Sequence, residues 1–153
     1  MVKQYIEDNL KKHLQDMEVG DGIVTKPRVI TRTDLEFFAV STGLTHPMFL
    51  SEEYAKSLGW KTQLVPGLLS YSIALGLLVE SGFLSDAIAF MGTDKLRFLA
   101  PVYPYDAIRV EAEVLSLKQT KKGNLVGTYK WVIKNQNDEA VTEGENTCML
   151  KPR

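Results

Sequence analysis

No charged side chain occurs between Lys61 and Glu80, and within that interval Leu64–Val79 (LVPGLLSYSIALGLLV) is almost wholly apolar. Few arrangements accommodate such a segment. It opens on Val65-Pro66-Gly67. Proline suits the first turn of a helix, where its missing N–H is not needed. The residues after Gly67 are mostly good helix formers, and apolar side chains fall nearly all round the helical wheel, which predicts a buried helix. The segment is shorter than the ~20 apolar residues that span a bilayer, and Pro66, Gly67, Ser70, Ser72 and Gly76 interrupt it. It reads as a core helix that the other elements wrap. The backbone N–H groups at its start lie near Gly67, where no side chain blocks an approach. That is the first candidate site.

A chain of 153 residues predicts one domain with a sizeable core. A net charge of −1 gives no general attraction to nucleic acid or to an anionic membrane. The single cysteine, Cys148, excludes an intrachain disulfide and a cysteine metal cluster, and reads as a plain buried residue. The two histidines, His13 and His46, lie far apart, so no metal site is expected. No phosphate loop, dinucleotide glycine pattern or nucleophile elbow occurs. The N-terminal stretch MVKQYIEDNLKKHLQDM carries acids and no apolar core segment. It is not read as a signal peptide, and a cytoplasmic location is expected.

Along the chain, Ile6, Leu10, Leu14 and Met17 recur at helical spacing, which predicts an amphipathic helix over 3–17 within an N-terminal helical extension, residues 1–20. Gly20-Asp21-Gly22 reads as a turn. Pro27–Thr31 reads as a short strand. Thr33 with Glu36 predicts a capping box for a second helix, with Phe37, Phe38 and Val40 as its apolar contacts and Gly43 as its stop. A loop pinned by Pro47 and a short helix from Ser51 to near Gly59 precede the long helix. Beyond Gly82 the pattern is that of strands. Ile88–Met91 and Lys95–Leu99 form one region with an irregularity at Gly92. Ala107–Leu117 alternates, with Ile108, Val110, Ala112 and Val114 on one face. Leu125–Lys134 and Ala140–Leu150 complete an antiparallel meander, with turns at 121–124 and 135–138. A sheet of this length can curl around one apolar helix, which is the α+β hotdog architecture. The pattern alone equally permits another α+β fold.

Three stretches resemble the MaoC-like hydratase/dehydratase family of hotdog proteins. Phe38–Tyr54 (FAVSTGLTHPMFLSEEY) is similar to that family's F-x-x-x-S-G-D-x-N-P-x-H-x-D-x-x-Y. Leu64–Leu69 (LVPGLL) is similar to its I-V-H-G-M-L. Lys95–Val114 (KLRFLAPVYPYDAIRVEAEV) is close to its K-F-x-x-P-V-x-P-G-D-x-L-x-V-x-x-x-V, and Glu143-Gly144-Glu145 also fits. The resemblance covers roughly residues 30–150 and implies a hotdog fold with a homodimer or higher oligomer. It also implies acyl thioesters of coenzyme A or acyl carrier protein as substrate or ligand, with no further cofactor. In that family an aspartate and a histidine five residues later activate a water. Backbone N–H groups at the start of the central helix polarise the thioester carbonyl.

With Pro47 aligned, Leu44 stands at the aspartate position, Phe49 at the histidine position and His46 at the asparagine position. Ser51 replaces the second aspartate, and Pro66 replaces the histidine before Gly67. Neither leucine nor phenylalanine transfers a proton. The resemblance therefore implies a carbonyl-binding site at Gly67 and Leu68 without the family's acid/base pair. Leu44, Phe49, Val65, Pro66, Ser70 and Ser72 are the candidate pocket residues. His46 is the candidate acid/base group; a loop histidine bonding backbone groups is the alternative. Three functional readings follow: a hydratase or dehydratase by family, a non-catalytic acyl-thioester binder or subunit of a hetero-oligomeric dehydratase, and a hotdog thioesterase.

Overall fold

The computed structural model of the protein describes residues 4–5 and 13–152. Its elements are β1 (Gln4–Tyr5), a 3-10 turn (Leu14–Asp16), β2 (Asp21–Val24), β3 (Arg28–Val29), α1 (Arg32–Thr42), α2 (Pro47–Leu50), α3 (Glu52–Ser57) and α4 (Gly67–Glu80). Four long strands follow: β4 (Ala87–Phe98), β5 (Ala107–Gln119), β6 (Leu125–Lys134) and β7 (Ala140–Leu150). The strands form one sheet in the order β1-β2-β5-β6-β7-β4, with β3 also on β5. All pairings are antiparallel except β1 with β2. This is the expected α+β hotdog arrangement, a sheet curled round a long helix.

Alternation places Ile108, Val110, Ala112 and Val114 on the inner face of β5, all fully buried. Tyr129, Trp131 and Ile133 do the same on β6. Helix α4 lies against this face. The rings of Tyr71 and Trp131 approach to 4.8 Å between centroids. Tyr71 Oη and Trp131 Nε1 both donate to Asn146 Oδ1, at 2.8 Å each. A helix–sheet contact built on shared buried hydrogen bonds fixes the rotation of the helix as well as its position.

Several expectations need correction. Helix α4 is not enclosed on all sides: Leu68 is 54% and Val79 60% exposed. They form an outer stripe with Ser72 and Gly76, because the sheet covers only one side of the helix. The continuous helix over 3–17 is not what the described residues form. Gln4–Tyr5 pairs with β2 and Leu14–Asp16 is a single 3-10 turn; Ile6 and Leu10 lie outside the described residues. Leu14 and Met17 are buried in the core as their spacing suggested. Asp21–Val24 is a strand on β5, not part of a turn. The N-cap of α1 is Thr31, whose side chain accepts from the Asp34 N–H at 3.1 Å while Asp34 accepts from the Thr31 N–H at 2.9 Å. The capping box is thus Thr31/Asp34 rather than Thr33/Glu36. Leu35 and Ala39 form the inner face of α1, whereas Phe37 and Val40 are 75% and 72% exposed. Finally, β4 does not open a meander. It crosses the molecule to pair with β7, with register shifts that include the one expected near Gly92.

Candidate functional site

The first turn of α4 borders an open cleft of about 390 Å³. Its walls are set by backbone ties. The Val65 N–H donates to Val102 O at 2.8 Å, and the Leu64 N–H donates to Met48 O at 2.9 Å. Gln63 Nε2, on a buried side chain, donates to Phe49 O at 3.3 Å. These bonds bring the loop before α4, the helix α2 and the loop after β4 to one place.

Val65, Pro66, Gly67, Leu68 and Ser70 line the cleft from the α4 side, and Leu44 and Phe49 line it from the α1–α2 side. The structure thus brings together seven of the nine candidate residues. Ser72 is not among them. It faces a separate shallow hollow beside Arg28, Gly76 and Glu80, and its hydroxyl donates to Leu68 O at 2.8 Å. His46 does not line the cleft either. Its Nδ1 accepts from the Met48 N–H at 3.2 Å as the N-cap of α2. The exposed ring stands edge-on to Tyr54, with 5.7 Å between centroids. Its Nδ1 is thus engaged as a helix cap, and the ring stands outside the cleft lining.

Pro66 is the N-cap residue of α4, and the Leu69 and Ser70 N–H groups donate to Pro66 O at 3.0 and 3.2 Å. Among the described residues the Gly67 and Leu68 N–H groups find no acceptor. Two free donors at a helix start, on the wall of an apolar cleft, make a site for an oxygen that carries partial negative charge. The ring of Phe98 lies directly over Gly67, where a β-carbon would collide with it. Glycine is therefore required for the aromatic ring and the helix start to meet this closely.

Sequence reasoning missed the far wall, formed by Phe98 at the end of β4 and by Leu99 and Val102 beyond it, with Thr142 from β7 and Trp60 from the connector. The stretch containing Phe98 and Val102 was part of the family likeness. Nothing in its local pattern said that it faced Gly67. Among the described residues no ionisable side chain lines the cleft. It can hold an acyl group and polarise a carbonyl, but its own lining holds no group that moves a proton.

Comparison with known proteins bears on the family and the fold. The family model described as the MaoC like domain matches residues 15–136. The chain is 33% identical over 141 residues to a β-methylmalyl-CoA dehydratase of Chloroflexus aurantiacus, covering 91% of this chain and 40% of that protein. It is 31% identical over 134 residues to a 3-hydroxybutyryl-CoA dehydratase of Methylorubrum extorquens, covering 87% of this chain and 80% of that one. The chain thus spans about two fifths of the first relative's length and most of the second's. A solved MaoC-like dehydratase from Rhodospirillum rubrum superimposes with a TM-score of 0.79 at 26% identity, covering 92% of this chain and 97% of that one. The fold and a family match over most of the sequence agree: the chain belongs to the MaoC-like domain family.

Proposed function

We propose that the protein binds acyl thioesters of coenzyme A or acyl carrier protein in the α4 cleft, as a hydratase/dehydratase-type protein whose own chain lacks the proton-transfer pair. The carrying observation is the junction of two free N–H donors at Gly67 and Leu68 with an apolar cleft that holds no ionisable side chain. The thioester carbonyl sits on those N–H groups, and the acyl chain enters the cleft past Val65 and Phe49. In apolar surroundings the paired donors polarise the carbonyl more strongly than in water. That lowers the cost of enolate character in the acyl group, but hydration still needs an acid and a base.

A second copy of the chain completes the assembly in this reading. Strand β4 is paired only on its β7 side among the described residues, and Ile88, Phe90 and Met91 along it are about half exposed. The outer stripe of α4, with Leu68 and Val79, is open as well. A homodimer would cover both. The reading also keeps the protein in the cytoplasm, in line with its single unpaired, buried Cys148.

The test is to offer 2-enoyl-CoA and follow the enoyl absorbance, and to offer acyl-CoA and follow the melting temperature. The expected result is a raised melting temperature with no hydration by the isolated protein. Steady hydration would overturn the absence of proton transfer, and no thermal shift with any acyl-CoA would overturn the binding reading. Leu44 and Phe49 both border the cleft, so Leu44→Asp combined with Phe49→His should introduce measurable hydration where the parent has none. General acid–base groups contribute typically ~10²–10⁴-fold.

A further inference from the structure

We propose that Ser70 is the selectivity group of the cleft, pairing with a neutral oxygen substituent near the fourth carbon of the acyl chain. This inference rests on the thioester-binding reading. Ser70 is fully buried, borders the cleft, and its Oγ has no hydrogen-bond partner among the described residues. Serine in a helix ordinarily donates back to a carbonyl one turn earlier. Ser72 does so with Leu68 O and Ser81 with Leu78 O, both at 2.8 Å. The equivalent carbonyl for Ser70 is Pro66 O, which already accepts from the Leu69 and Ser70 N–H groups. The first turn of the helix thus uses up the local acceptor and leaves this hydroxyl unpaired.

An unpaired buried hydroxyl is destabilising, and alanine would avoid that cost with a better helix propensity. The hydroxyl gains a partner when the cleft is filled by a ligand with an oxygen at the right depth. Ser70 lies three residues beyond Gly67, which is about 4.5 Å along the helix axis. With the thioester carbonyl on the Gly67 and Leu68 N–H groups, an oxygen on the fourth carbon of an extended acyl chain falls at a comparable depth. Thr142, also buried, borders the same cleft and adds a second hydroxyl-bearing residue to its lining. A carboxylate at that depth finds no counter-charge, because among the described residues no ionisable side chain lines the cleft, and a buried unpaired charge is disfavoured. The favoured class is therefore an acyl thioester with a hydroxyl or keto oxygen, rather than a plain alkyl or a dicarboxylic one.

The test is calorimetric titration of the intact protein and of Ser70→Ala with butanoyl-CoA, 4-hydroxybutanoyl-CoA and succinyl-CoA. The intact protein should bind the hydroxylated ligand about 10-fold more tightly than butanoyl-CoA, the order expected for one buried hydrogen bond. Succinyl-CoA should bind more weakly than either. Ser70→Ala should bring the ratio of the first two to about one, with circular dichroism showing the fold kept. Equal affinities in the intact protein, or a ratio that survives Ser70→Ala, overturns the inference while leaving thioester binding in place. Failure of all three ligands to bind overturns the binding reading and this inference with it.

Discussion

At the scale of single residues, Asn146 does the most. Its buried amide accepts from Tyr71 Oη and Trp131 Nε1 and donates to Tyr129 Oη at 3.0 Å. Leucine at this position would fill similar space and leave the Tyr71 and Trp131 donors without an acceptor. Asn146→Leu should cost about 3 kcal/mol, seen as a lower urea midpoint at unchanged slope. Two residues further on, burial pushes the Cys148 thiol up to about 11. It should resist a thiol reagent at pH 8 in the folded protein and react fully in urea. From its ordinary value up to about 11 the unfolded chain loses the thiol proton first. The native state then binds more protons, so this group's contribution to stability falls as pH rises through that range. A melting temperature that rises between pH 9 and 10.5, relative to Cys148→Val, would contradict the buried placement. The burial of Cys148 was legible from its position in an alternating strand. The role of Asn146 was not, because a polar residue on the inner face of β7 looks locally like an outward-facing one.

At the scale of elements, the long strands were readable because their alternation is a local signal that pairing only reinforces. The short ones were not. β2 begins at Asp21 and includes Gly22, both turn formers, and it exists because β5 offers it a free edge. Overlapping Thr-x-x-acid patterns made the α1 cap ambiguous: Thr31–Asp34 and Thr33–Glu36 are both capping boxes on paper. The chain uses the earlier one, and Arg28 reinforces it with a 3.0 Å ion pair to Asp34. Burial tends to raise the Asp34 carboxyl, but the Thr31 hydrogen bonds and the Arg28 charge outweigh it and hold the group below its ordinary value. Thr31→Ala should therefore cost about 1 kcal/mol, whereas Thr33→Ala should be nearly neutral. Thermal unfolding of the two variants side by side distinguishes the caps.

For the whole molecule, the parts of the cleft carried by the α4 start and by Leu44 and Phe49 were legible, and the wall brought in by β4 and β7 was not. Gly67, Val65 and Ser70 sit beside each other in sequence. Phe98 and Thr142 reach them only because β4 crosses to β7, a choice made by tertiary packing. The same crossing leaves β4 as a long edge strand among the described residues, exposed and apolar over Ala87–Met91 and charged further on at Asp94, Lys95 and Arg97. Natural edges of this length are normally covered or charged. Phe90→Glu places a charge at the middle of this edge. In sedimentation the intact protein should run as a dimer and the variant as a monomer, with the secondary structure of both unchanged.

If a second copy covers the β4 edge, as proposed above, folding is tied to mass action. Diluting the protein then removes a ligand from the native state, and that ligand is the protein itself. The melting temperature of the intact chain should rise with its own concentration, while that of Phe90→Glu should not. Assays performed at nanomolar protein would then sample a different, less stable and stickier molecule than assays performed at micromolar protein.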